Sequence, residues 1–209
     1  MREEHDAVFG PVENTGDILR NDPLLINKCN FTLAVIKETM RLWPPSSSIS
    51  EDTPSISLTD QTGIVVPTAG LNATIMHYYV QTNPRVWKRP PEFLPERWLV
   101  DSGHELYPPP GAYRPFEFGA RNCIGQTLVM NEVRIAVIMV IRRFDIVPAY
   151  DEWDARQRAN EGWYKTMMRK VGFGGQECKT VFGDRAYQTM RSGWHPADGY
   201  PCRVSLAKC

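Results

Sequence analysis

Nothing in these 209 residues approaches the apolar run, about 18 or more residues, that crosses a bilayer. The longest unbroken apolar stretch is 135–141. The polar opening Met1-Arg2-Glu3-Glu4-His5-Asp6 is unlike a signal or transit peptide. Excess charge of one sign is also missing: 24 Lys and Arg face 24 Asp and Glu. A balanced chain gives no electrostatic reason to expect nucleic acid as a partner. Paired cysteines are absent too. The five cysteines, at 29, 123, 178, 202 and 209, include no C-x-x-C, which argues against a disulfide framework or zinc ribbon. A reduced compartment is the simpler reading. Histidines 5, 77, 104 and 195 lack metal-ligand spacing and read as ordinary surface or core residues. No internal repeat is present.

What remains suits one domain with a sizeable core: 42% of residues are hydrophobic and 11% aromatic. Apolar residues recur near helical spacing over 24–42, and Pro44-Pro45 stops that helix. Two β-like pieces, 56–58 and 64–66, flank Asp60-Gln61-Thr62-Gly63 and predict a hairpin. Residues 71–80 fit a strand leading into a short helix. Prolines then crowd 83–115 with little periodicity, so that stretch is expected to be irregular, with a specific job or another domain to lie on. Residues 124–144 are apolar nearly all round and predict a deeply buried helix, with Arg142 and Arg143 in its last turn, where cations suit the helix dipole. The tail from Asp151 is polar and Gly-rich, with a strand at 202–206. The expected fold class is α+β: mainly helical with small β-sheets.

One constellation carries chemistry. Phe116-Glu117-Phe118-Gly119-Ala120-Arg121-Asn122-Cys123-Ile124-Gly125 lies directly before the apolar helix. A cysteine at a helix N-terminus meets unsatisfied N–H groups and the positive end of the dipole, a setting that favours thiolates. Glycines at 119 and 125 allow a tight turn and close approach of a bulky partner. Such a sulfur suits a soft or borderline metal.

These residues match the F-x-x-G-x-R-x-C-x-G signature, and the chain resembles the C-terminal part of a cytochrome P-450, of a fungal-like kind. Five fixed positions would coincide by chance on the order of once in 10⁴ to 10⁵ such chains. Two further motifs appear in the family's order. Glu38-Thr39-Met40-Arg41 resembles its E-x-x-R pair, whose ends share a helix face at i and i+3. Pro95-Glu96-Arg97-Trp98 resembles its P-E-R-F element. Arg2 to Gly10 looks like the segment after the family's long central helix, and 83–115 like its meander.

The resemblance implies that 1–209 is one partial domain, about the last two-fifths of a complete member. It implies heme as cofactor, with Cys123 as axial iron ligand, Phe116 packing near the sulfur, Arg121 pairing with a propionate, and Gly119 and Gly125 shaping the loop. Glu38, Arg41 and Arg97 would form a structural charge cluster. It further implies a monooxygenase inserting one oxygen atom of dioxygen into a small organic substrate. NADPH-cytochrome P-450 reductase would be the electron donor, and the endoplasmic reticulum membrane the place of an intact eukaryotic homologue. The stretch 46–50 would lie beside the distal heme face; otherwise it is an exposed polar loop. Two departures stand out: Glu117 replaces a small or polar residue, and an arginine expected after the Pro-Pro stop is replaced near Glu51. Two alternatives remain: a truncated, non-catalytic remnant that cannot turn over alone, and a cysteine-nucleophile enzyme, for which no histidine lies in a motif that pairs with Cys123.

Overall fold

The computed structural model describes residues 1–50, 57–170, 180–181, 183–190 and 194–207, with the backbone alone at Ser50, Arg121, Lys165, Thr166, Arg169, Lys170, Met190 and Trp194. Glu51, Cys178 and Cys209 lie outside the described residues. The chain falls into two compact units, residues 1 and 3–137, and residues 2 and 138–209.

The first unit begins with helices α1 (Arg2–Phe9) and α2 (Thr15–Asn21), then a 3-10 segment over Pro23–Lys28. Helix α3 follows at Asn30–Leu42. The continuous helix expected over 24–42 is therefore divided. Asp22 accepts the Leu24 N–H at 3.2 Å and Pro23 starts a tight turn, while Cys29, at ψ 70°, leaves helical geometry before α3. Cys29 makes no side-chain cap for α3. Glu4 of α1 does that work from a distance: its carboxylate accepts the N–H groups of Phe31 (2.7 Å) and Thr32 (2.9 Å) and the Thr32 hydroxyl (2.7 Å). A negative charge there also suits the positive end of the α3 dipole. Phe9, Ile26, Cys29, Ala34 and Ile36 are buried around it.

Strand β1 (Ser48–Ser50) comes next, then the hairpin β2 (Ser57–Thr59) and β3 (Val65–Pro67), turned where the sequence predicts it. Strand β4 (Ala73–Ile75) pairs antiparallel with β1, and helix α4 (His77–Gln81) follows directly. From there to Pro115 only a 3-10 turn at Pro95–Trp98 is regular, as the prolines predict.

Helix α5 (Gln126–Arg143) departs from expectation. Only Arg134, Ile138 and Arg142 are buried, a single i, i+4, i+8 stripe, while Leu128 is 71% exposed. An all-round apolar helix thus turns much of its apolar surface outward rather than being deeply buried. Among the described residues no helix is long and apolar enough to cross a membrane.

In the second unit, β5 (Phe144–Pro148) pairs antiparallel with β8 (Cys202–Leu206), and β6 (Gln188–Met190) with β7 (Trp194–Pro196). The polar tail also holds α6 (Tyr150–Ala159) and α7 (Trp163–Lys170). Helix α6 has little apolar patterning to betray it, but Asp151 and Glu152 open it and Arg156 and Arg158 close it, matching its dipole. Arg185 grips Asp154 through two bonds of 2.6 Å and lies over the Tyr150 ring. The fold is mainly helical with small antiparallel sheets.

Glu4→Ala removes the cap of α3, and a loss of ~1–2 kcal/mol is expected, in the range of lost N-caps. Urea unfolding checks it. Unchanged stability would mean that water caps the helix equally well.

Candidate functional site

Helix α3 places Glu38 and Arg41 one turn apart on one face, and the 3-10 turn at Pro95–Trp98 brings Arg97 to them; all three side chains are fully buried. Arg41 donates to both Glu38 oxygens (Nη2–Oε1 2.8 Å, Nε–Oε2 3.0 Å), and Arg97 Nε donates to Oε1 at 3.2 Å. The Leu94 N–H adds a bond of 2.9 Å to Oε1 and Trp98 Nε1 one of 3.1 Å to Oε2. Burial alone would raise the Glu38 carboxyl, but the Arg41 hydrogen bonds, then the Leu94 N–H and the Arg41 charge, bring it below the usual range. Most of the spare guanidinium groups meet main-chain carbonyls: Arg41 reaches Gln81, Pro90 and Glu92, and Arg97 Nη2 reaches Arg89, while the buried Arg97 Nη1 has no hydrogen-bond acceptor among the described residues. The Trp87 ring lies 5.2 Å from the Arg41 and 6.0 Å from the Arg97 guanidinium. Two buried cations thus share one carboxylate, a ring face and a set of carbonyl dipoles.

The cysteine loop precedes α5. The Cys123 N–H donates to the Phe116 carbonyl at 2.9 Å, closing the loop at its neck, and Gln126 N–H donates to the Cys123 carbonyl at 3.3 Å. Inside lies a 3-10 turn, Gly119–Arg121, entered with Gly119 at φ 82°, a conformation only glycine adopts freely. The Cys123 thiol is exposed rather than a buried structural thiol. Ile124 and Phe118 of the same loop are 105% and 64% exposed. A side chain begun at Gly125 would place its Cβ 3.8 Å from the Cys123 sulfur. An open soft donor flanked by uncovered apolar side chains fits a thiolate-ligated metal in a large apolar cofactor. Phe116 is half-buried, and at Arg121 only the backbone is described.

The sequence reading missed a second cluster. The Glu117 carboxylate accepts from His77 Nε2 at 2.9 Å, from the Ser48 hydroxyl and from Arg114 Nη2. His77 Nδ1 lies 3.0 Å from the Ser46 carbonyl, so both ring nitrogens face oxygen acceptors. Serine and acid share one nitrogen, Nε2, which is not the relay geometry of a hydrolytic triad. Burial pushes Glu117 up; the bonds from Ser48 and His77, then the Arg114 charge, outweigh it and bring it from 4.5 to about 2. Gln81 ties this cluster to the first. Its Oε1 accepts the Arg114 N–H at 2.7 Å, and its Nε2 donates to the Met40 and Arg41 carbonyls at 3.1 Å each. His77 and Gln81 stand at i, i+4 on α4 and both are buried, a polar helix face that the sequence pattern did carry. Another group, Glu4, His5 and Cys29, brings its ligand atoms within 4.8 Å of one another, but the Glu4 oxygens are those that cap α3.

A family model, cytochrome P-450, matches residues 1–167. The chain is 45% identical over 207 residues to the cytochrome P-450 monooxygenase polC of Polytolypa hystricis, covering 99% of this chain and 34% of that protein. It is 34% identical over 221 residues to the monooxygenase acrF of Aspergillus aculeatus, covering 97% and 42% respectively. To rat cytochrome P-450 4A14 it is 37% identical over 148 residues, 70% of this chain and 27% of the relative. The chain therefore spans well under half the length of these curated relatives.

Removing Glu38 leaves two buried guanidinium groups without their carboxylate. Glu38→Ala is expected to cost ~3–5 kcal/mol, as for other broken buried pairs, against ~1.5–3 kcal/mol for Trp98→Phe, which loses one hydrogen bond to a charged group. Chemical denaturation of both variants tests the ranking. A pH dependence follows from Glu117. Its folded value is depressed, so its contribution is complete above pH 4.5 and is lost as pH falls towards about 2. The acid limb of the stability profile should flatten in Glu117→Gln; identical limbs would refute the coupling.

Proposed function

The chain belongs to the cytochrome P-450 family, and from that premise we propose that Cys123 is the thiolate ligand of a heme iron and that 1–209 carries the heme-binding part of a monooxygenase. The observation that carries this reading is the exposed Cys123 thiol at the head of α5, in a loop closed by the Cys123 N–H and the Phe116 carbonyl. Thiolate-ligated heme, when bound, supplies the dioxygen chemistry that inserts one oxygen atom into an organic substrate.

The protein's part is to hold the sulfur. Negative charge on Cys123 sits at the positive end of the α5 dipole. Phe116 would pack near the sulfur, Gly119 makes the loop's turn, Gly125 keeps the space beside the sulfur open, and Arg121 would pair with a propionate. Glu38, Arg41 and Arg97 stabilise the support and take no part in chemistry. A small organic substrate, an NADPH-cytochrome P-450 reductase as electron donor and an endoplasmic reticulum setting complete the proposal. Relatives described as monooxygenases support it.

Cys123→Ala is expected to abolish the thiolate-type shifted Soret band of the reduced, carbon monoxide-bound protein, and Cys123→His to replace it with an unshifted one. Retention of the shifted band in either variant would remove Cys123 as the ligand.

A further inference from the structure

Glu117 adopts φ 66°, in the left-handed region that disfavours every residue with a Cβ. Glycine would sit there without strain. A glutamate in that position is therefore either a defect carried by the loop or a residue whose side chain returns more than its backbone loses.

The side chain decides between these. The side chain is 12% exposed, and its carboxylate collects donors from Ser48 on β1, His77 at the start of α4 and Arg114 just upstream, with the neighbouring Phe118 N–H at 3.3 Å. Ser48 and His77 belong to adjoining elements, since β1 pairs with β4 and β4 leads straight into α4. Arg114 is itself held by Gln81, which bonds the carbonyls at the end of α3. Glu117 is also the first residue inside the neck formed by the Phe116 carbonyl and the Cys123 N–H. A change of its backbone angle swings everything from Phe118 to Asn122 about that neck.

We infer that Glu117 is a positioning residue for the Cys123 sulfur: its carboxylate clamps the cysteine loop onto Ser48, His77 and Arg114 and holds the strained turn that aims the loop. The effect on iron ligation rests on the reading of Cys123 given above; the clamp itself does not.

The sign of one substitution separates the clamp from a tolerated strain. Glu117→Gly relieves the backbone and removes the carboxylate, so mere strain predicts a tighter loop, whereas the clamp predicts a looser one. Amide hydrogen exchange at Cys123 in the heme-free protein reads the neck directly. The expected result is exchange about tenfold faster in Glu117→Gly, equivalent to ~1.4 kcal/mol of local closing free energy. The Trp43 amide, bonded to Thr39 on α3, should keep its parent rate. Glu117→Gln, which retains the shape but not the charge, should fall between, and serves alone where the glycine variant does not fold. Parent-like or slower exchange at Cys123 in the folded variants overturns the clamp. In the heme-loaded protein, the reduced carbon monoxide spectrum should lose part of its thiolate-type band in the same order, parent, Gln, Gly. Faster exchange with an unchanged band overturns the positioning of the sulfur. A parent protein with no thiolate-type band overturns the heme-ligand reading instead, while the exchange result still judges the clamp.

Discussion

The Glu38 carboxylate is the point on which the first unit hangs. Two guanidinium groups, an indole N–H and a main-chain N–H converge on its two oxygens in a place water does not reach. A buried ion pair is not stabilising by default, because desolvation of the charges offsets much of their attraction. What makes the arrangement worthwhile is where the remaining donors go. Gln81, Arg89, Pro90 and Glu92 all offer carbonyls to Arg41 and Arg97. These residues lie in or beside a proline-rich segment that has almost no helix or strand to satisfy its main chain. Buried carbonyls need partners, and here the partners are side chains rather than a ladder. The cluster orders a stretch that could not order itself.

The two tryptophans near it illustrate how differently one residue type can serve. Trp87 is buried and offers its ring to both guanidinium groups, while its Nε1 donates to the Val80 carbonyl at 3.2 Å. Trp98 instead points its N–H at the carboxylate and offers its ring to Lys37, whose ammonium is pulled down first by burial and then by Arg134. Phenylalanine at 98 would preserve the face and forfeit the donor. The excess of positive charge in the cluster is therefore spread over π-faces and dipoles, and among the described residues Glu38 is the one acid bonded to it.

Much of this was legible in advance, for physical reasons. Glu38 and Arg41 declare themselves by helical spacing, and Pro44-Pro45 marks where their helix ends. The hairpin at 57–67 is announced by Asp60 and Gly63, whose turn the Asp60 carboxylate then holds through the N–H groups of Thr62 and Ile64. Cys123 is conspicuous because a glycine-bearing loop and an apolar helix surround it. The failures are equally specific. The break at Cys29 depends on a tight turn begun by Pro23 rather than on any lapse in apolar period. Helix α6 escaped because its logic is charge at the two ends, not a stripe. The burial of α5 was overestimated because periodicity reports which faces are apolar, never what lies against them. His77 and Gln81 share a polar helix face, but the partners of these two and of Ser48 stayed hidden because they are distant in sequence and often main-chain atoms.

That last class of residue explains why the two clusters are best understood as one object. Gln81 accepts from Arg41 through its carbonyl, returns two bonds to the end of α3, and takes the Arg114 N–H on its side-chain oxygen. Arg114 then meets Glu117, and one residue earlier the Phe116 carbonyl holds the Cys123 amide. A path of hydrogen bonds and two short stretches of chain thus runs from a carboxylate on α3 to the neck of the cysteine loop. Groups linked in this way are not independent, and their removal is not additive. The loop keeps its sulfur exposed and so cannot be secured by covering it with apolar side chains. On the clamp inferred above it is held from behind, through polar contacts, and the path through Gln81, Arg114 and Glu117 joins it to the buried Glu38 cluster.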